Sequence, residues 1–325
     1  MTAFKTIKGV PVKTVAGGQP NTYPSPFEGE LFYDSDGVGA FKFVGAAAAG
    51  TWASGGDLNT GRSSSAGAGT QTAGLVFGGK PNVAVNEAYD GSSWTEVGDL
   101  NAGNMKSAGF GIQTAALNAG GGTPNKATTE IYNGTAWTEV NDLNQSRNGI
   151  TGFGTTAAGL VASGASDAPT SLTETWDGTS WTEVNNMNAT RTDGAAFGIS
   201  TTGVLAGGQG TGAGGGALVE SWDGTSWSEI AEMNTSRNQF AASGKSGVDG
   251  LVAGGEGTPN TANTEIWNGT SWTEVNNLAT SRKALTGVGN SSSLAIAAGA
   301  TAPGQPAVNT EEWTIPQAIK TVDLS

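Results

Sequence analysis

The sequence predicts an all-β chain whose strands form a closed ring of six four-stranded sheets, and three observations predict it. Tryptophans at Trp52, Trp94, Trp137, Trp181, Trp227 and Trp272 recur every 42 to 46 residues, the period of a propeller blade. Hairpin signals sit between apolar strands, as in Tyr132-Asn133-Gly134-Thr135, Trp176-Asp177-Gly178-Thr179 and Trp267-Asn268-Gly269-Thr270. No stretch sustains a helical period, because 53 glycines and frequent Thr, Ser and Asn interrupt every candidate run. A unit of this length cannot bury both faces of its small sheet alone, so neighbouring sheets stack around an axis.

Taken in order, residues 1–48 stand outside the repeat. Pro20, Pro24 and Pro26 lead into Glu28-Gly29-Glu30-Leu31-Phe32-Tyr33-Asp34, then a turn and Phe41-Lys42-Phe43-Val44, which reads as a hairpin with aromatic strands. So short a β-rich segment needs a partner to pack on, and Phe27, Leu31, Phe32, Tyr33, Phe41 and Phe43 are its expected attachment residues.

Residues 49–315 carry the repeat, and 316–325 read as a C-terminal tail. A complete copy, the fourth, runs from Arg191 through the strand Val204-Leu205-Ala206-Gly207-Gly208, then Glu220-Ser221-Trp222, a two-residue Asp223-Gly224 turn and Trp227. Trp52 has no Glu-x-aromatic before it, and Glu311-Glu312-Trp313 has no Trp turn after it. The two halves complement each other, so the strand near Trp52 is expected to complete the sixth blade beside Trp313 and remove two exposed edges.

These repeats resemble the Kelch family of propellers. The resemblance rests on Gly78-Gly79, Gly207-Gly208 and Gly254-Gly255 after the second strand, on Glu-x-Tyr/Trp with its Asp-Gly or Asn-Gly turn, and on the following Trp. Arg62, Arg147, Arg191, Arg237 and Arg282 open blades, while Lys106 stands near the place of the second blade's Arg. Ser163-Gly164 and Ala298-Gly299 depart from the Gly-Gly pattern.

Composition narrows function. Net charge is −13, which disfavours a surface that tracks nucleic-acid phosphates. No run approaches a membrane span and the N-terminus lacks a signal-type apolar region, so neither membrane insertion nor secretion is expected. Cys and His are both absent. That removes disulfides, thiolate and imidazole metal sites, the usual nucleophile–base pairs and the copper ligands of the galactose-oxidase branch of Kelch propellers. No metal, cofactor or catalytic residue is expected, and the chain reads as a non-enzyme. A glycan-cleaving enzyme using two carboxylates is the alternative.

A residue that recurs in every blade is explained first by scaffold. The six tryptophans are expected to pack between blades, and Glu87, Glu130, Glu174, Glu220, Glu265 and Glu311 to pair with the blade-opening arginines or cap backbone groups. Asn133, Asn188, Asn234 and Asn268 head Asn-x-Ser/Thr triplets that turn chemistry explains without glycans. Gly210–Gly216 lacks the Lys-Ser/Thr of a phosphate loop and reads as a blade connection.

Binding information is expected where copies differ, in the connections between second and third strands, which should share one face with the arginine connections. The candidates are Lys80, Asn82, Asn125, Lys126, Asp167, Gln209, Glu256 and Asn260.

The Glu28–Asp34 phrase with Phe41-Lys42-Phe43 is similar to N-terminal attachment segments of tailed-phage fibre and decoration proteins. Asp57–Arg62 and Gly69–Gly79 resemble Ala/Gly/Thr-rich Kelch-like virion proteins of marine cyanophages. The resemblance implies a virion structural protein made in the host cytoplasm and held in several copies by other virion proteins. It would display the propeller for adhesion to host-surface glycan, with a purely structural decoration or adaptor role as the alternative.

Overall fold

The structure is a computed structural model that describes residues 6–7, 10–11, 13–15, 31–34, 41–44, 50–210, 216–302, 305–316 and 319–322. The chain divides into two compact units, Thr51–Thr314 and a smaller one made from residues 1–50 and 315–325.

The larger unit is a six-bladed β-propeller. In blade 1 the strands Ala66–Thr70, Ala73–Phe77, Asn86–Tyr89 and Trp94–Val97 form one antiparallel sheet in sequence order, and blades 2 to 5 repeat this order. Blade 6 joins Thr286–Gly289, Leu294–Ala302 and Gln305–Thr314 to Thr51–Ser54, with Trp313 paired to Trp52 and Thr314 to Thr51. The ring therefore closes as the sequence predicts, by sharing one sheet between the ends of the repeat.

The first strands surround the axis and touch one another around the whole ring. They come so close that a side chain is excluded at several of their glycines. A Cβ on Gly109 would lie 2.8 Å from the Ala66 Cβ, and one on Gly287 would lie 2.2 Å from the Ala242 carbonyl oxygen. The Ala/Gly composition of these strands is thus a condition of the taper.

Apolar side chains fill the seams between blades. Val76 of blade 1 packs with Val288, Ile296 and Ala298 of blade 6, and Leu75 and Phe77 pack with Ala116, Tyr132 and Trp137 of blade 2. Each fourth-strand Trp also stacks on the aromatic residue paired with it on the third strand, with ring centroids 4.8 to 5.5 Å apart from Tyr89–Trp94 to Trp52–Trp313. In blades 1, 3, 4 and 6 its indole N–H reaches a threonine hydroxyl of the preceding blade, as from Trp94 to Thr310 Oγ1 at 3.1 Å, Trp181 to Thr129 at 3.0 Å and Trp227 to Thr173 at 3.0 Å. The tryptophans are scaffold.

The outer hairpins differ from the expected two-residue turns. Four residues, Asp90–Ser93, separate the paired Tyr89 and Trp94. Only the glycine adopts positive φ, 94° at Gly91. Asp90 instead accepts both following N–H groups, Ser92 and Ser93 each at 2.8 Å. The Asp-Gly and Asn-Gly signals mark Asx turns, in which the side chain closes what the backbone leaves open.

The smaller unit contains a sheet ordered Lys13–Val15, Leu31–Asp34, Phe41–Val44 and Ile319–Val322, with the first pair parallel and the others antiparallel. Leu31, Phe32, Tyr33, Phe41 and Phe43 lie on the two central strands, which pair as the expected hairpin. Phe27 lies outside the described residues. Residues 316–325, expected as a tail, contribute an edge strand, because Ile319–Val322 finds a free backbone ladder on Phe41–Val44.

Candidate functional site

The recurring acids decide what is left for binding. Glu220 Oε1 takes Arg191 Nη2 at 2.7 Å, while Glu220 Oε2 takes the Asn188 backbone N–H at 2.8 Å and its Nδ2 at 2.9 Å. The same clamp recurs from Arg62–Glu87 at 2.9 Å to Arg282–Glu311 at 2.6 Å. All five ion pairs are buried or nearly so. Burial pulls the guanidinium groups of Arg62, Arg191, Arg237 and Arg282 below their usual pKa, and the facing Glu pushes each back up. Each Glu thus grips the connection entering its own blade. Sequence reasoning paired Glu with Arg but missed Asn59, Asn101, Asn144, Asn188 and Asn234. Their signal was an Asn three residues before the Arg position in five of six copies.

In blade 2 the Arg position is Asn104, not the nearby Lys106. Lys106 belongs to a different structure at the axis. Ser64, Lys106, Gly149, Asp193, Gln239 and Ala284 all have φ between 53° and 63°. Each donates its backbone N–H to the carbonyl of the previous member, 2.7 to 2.9 Å away, and Ser64 returns to Ala284, so six hydrogen bonds close a circle. The circle rims an axial mouth of about 130 Å³. Lys106 Nζ meets Asp193 Oδ2 at 2.9 Å across the blade between them, and Asp193 is the one carboxylate among the mouth's described lining residues.

The predicted loop residues divide into three groups. Lys80 and Asn82 in blade 1 and Asp167 in blade 3 are exposed on separate connections. Asn125 is engaged by its neighbours, because its Nδ2 donates to Ser166 O at 2.9 Å and its Oδ1 accepts from Asn148 Nδ2 at 2.7 Å. Lys126 Nζ donates to Gly103 O at 2.7 Å. Those two hold loops together.

Gln209, Glu256 and Asn260 come together. They line a groove of about 1000 Å³ between blades 4 and 5, with Ser236 and Asn238 on its wall. Asn238 Oδ1 is buried and has no partner among the described residues. Glu256 is held by Lys283 Nζ at 2.5 Å. Residues 211–215, within the predicted connection, lie outside the described residues. Among the described residues there is no group of acids that could hold a metal ion, and no helix long and apolar enough to cross a membrane.

Fold and groove define the class: an all-β propeller whose loop face offers a polar concavity. Compared with models of known protein families and with curated proteins, the chain matches none.

Proposed function

We propose that this propeller is a non-enzymatic recognition module of a tailed-phage virion, displayed through its smaller unit to adhere to host-surface glycan. The observation that carries the binding reading is the groove between blades 4 and 5. Gln209, Ser236, Asn238 and Asn260, with amide and hydroxyl side chains, line it, on loops that differ from blade to blade over a frame that does not. Such a surface suits hydroxyl-rich ligands, and its single contacts are shallow, so copies on one particle would supply avidity. The virion setting rests on the Kelch-like repeats and on the Glu28–Asp34 and Phe41–Val44 phrases.

The test is binding of the intact protein to a glycan array and to candidate host cells. Gln209→Ala and Asn260→Ala are expected to lower binding by about tenfold or more, the loss of one or two hydrogen bonds each. Undiminished binding by the double variant would place recognition elsewhere. An absence of binding to any glycan or cell would favour a structural decoration role.

A further inference from the structure

Six copies of one arrangement supply their own controls, and blade 2 departs from the other five at a buried charge. In blade 4 the Arg191 head group donates to Glu220 Oε1 at 2.7 Å and to Leu218 O at 2.8 Å. In blade 5 Arg237 does the same to Glu265 Oε1 at 2.5 Å and Asn263 O at 2.6 Å. Blade 2 keeps the acceptors and lacks the donor. Asn104 stands in the arginine's place, and its Nδ2 reaches only Gly120 O, at 2.8 Å.

Glu130 remains 4% exposed, and its hydrogen bonds, from Asn101 N at 2.9 Å and Asn101 Nδ2 at 2.7 Å, both fall on Oε2. Among the described residues no cation pairs with it, since Lys126 donates to Gly103 O.

A second observation points to the same place. Asn118 lies directly across the ladder from Glu130, where the other blades carry Val76, Val161, Leu205, Val252 and Ala297. It is 1% exposed, and among the described residues neither its Oδ1 nor its Nδ2 has a partner. An amide left unbonded in an apolar seam is costly, and so is a buried carboxylate without a counter-charge. Both sit in one blade. The seam with blade 1 carries two more atoms unpartnered among the described residues, Trp137 Nε1 and Asn86 Oδ1, where the tryptophans of blades 1, 3, 4 and 6 meet a threonine hydroxyl.

We propose that Glu130, Asn118 and the Thr128 carbonyl bind a small nitrogen cation, ammonium or guanidinium, where the other blades hold an arginine head group. Thr128 O accepts from Gly120 N at 2.9 Å, just as Leu218 O accepts from Gly207 N at 2.8 Å while also taking Arg191. Its second lone pair is the counterpart of the one Arg191 uses. Glu130 Oε1 supplies the charge, and Asn118 Oδ1 adds an acceptor the other blades lack. These three acceptors carry a single negative charge and do not by themselves complete the six or more oxygens of a hard divalent ion. Directional N–H donors are what this frame receives elsewhere. The Asn side chain has three heavy atoms fewer than Arg, so the guest that replaces the head group is a small one of only a few heavy atoms.

The test is the thermal midpoint of the full chain in low-millimolar ammonium chloride or guanidinium chloride, against sodium chloride at equal ionic strength. Either nitrogen salt is expected to raise the wild-type midpoint saturably, by about 2–5 °C, and sodium is not. A response to ammonium alone marks a compact site, and one to guanidinium marks the planar arginine frame. Glu130→Gln should abolish the response. Asn104→Arg should raise the midpoint without added salt and leave nothing for the salts to do. Should either variant not fold, Asn118→Val, which restores the aliphatic residue of the other blades, should weaken the apparent affinity several-fold. A wild-type midpoint equal in all three salts, or a response that survives Glu130→Gln, overturns the proposal. Ordered water alone would give that result.

Discussion

At the level of single residues, the Glu clamps carry more than an ion pair's usual share. Arg147 and Glu174 are both buried, so removing one leaves the other uncompensated. Arg147→Ala is expected to cost about 3–5 kcal/mol, read from the denaturant midpoint. Tyr89, buried and donating to Glu312 in the neighbouring blade, supplies a pH signature. Burial first and that hydrogen bond second push its pKa from 10.0 up to about 12. A raised pKa here means the neutral phenol is favoured in the fold. Its contribution is complete below pH 10 and is lost as pH climbs toward about 12. Wild type should therefore lose more thermal stability than Tyr89→Phe across that window. The Arg and Glu of each clamp were legible in the sequence because both recur. The asparagine was not, since Asn also suits turns and its second role exists only once a glutamate from another strand arrives.

Among the elements, the outer hairpins are the most regular. Asp90, Asp177 and Asp223 each accept the two N–H groups that follow, and those bonds hold their carboxyls below the ordinary value, to about 2 at Asp90. A depressed pKa contributes above its ordinary 3.8 and is lost as pH falls through about 2. Amide exchange at Ser92 and Ser93 should therefore accelerate over that acid range. Asn133 and Asn268 make the same bonds in other blades. Asp177→Asn should thus leave the midpoint unchanged, whereas Asp177→Ala should lower it by a few degrees. Hairpin positions were readable from Asp-Gly and Asn-Gly, but the turn length was not. Side-chain closure of the turn is chemistry that a dipeptide signal does not distinguish from a backbone turn.

Across the whole molecule, closure of the ring depends on four residues. Thr51–Ser54 supply the outer strand of blade 6, and Trp52 donates its indole N–H to Thr264 Oγ1 of blade 5 at 2.9 Å. A chain trimmed to residues 50–316 should keep a single cooperative melt. One beginning at Gly55 leaves the Gln305–Thr314 strand as an open edge, and is expected to melt far lower and be cut first by protease within blade 6. The axial circle adds a second closure, made wholly of backbone.

What the sequence by itself determined was the blade, the number of blades and the joining of the ends. Those follow from local patterns repeated at one period, and six copies make each signal audible above the variation of any one. What only the tertiary structure decided was which unlike residues meet. Ser64, Lys106, Gly149, Asp193, Gln239 and Ala284 share a ring but no chemistry, since φ and a backbone bond select them. Gln209, Glu256 and Asn260 share a groove although they come from two blades. Asn118 becomes conspicuous only when it is seen facing Glu130 with no partner among the described residues. Periodicity encodes the frame because the frame is the same everywhere, and contacts between different copies have no period to read.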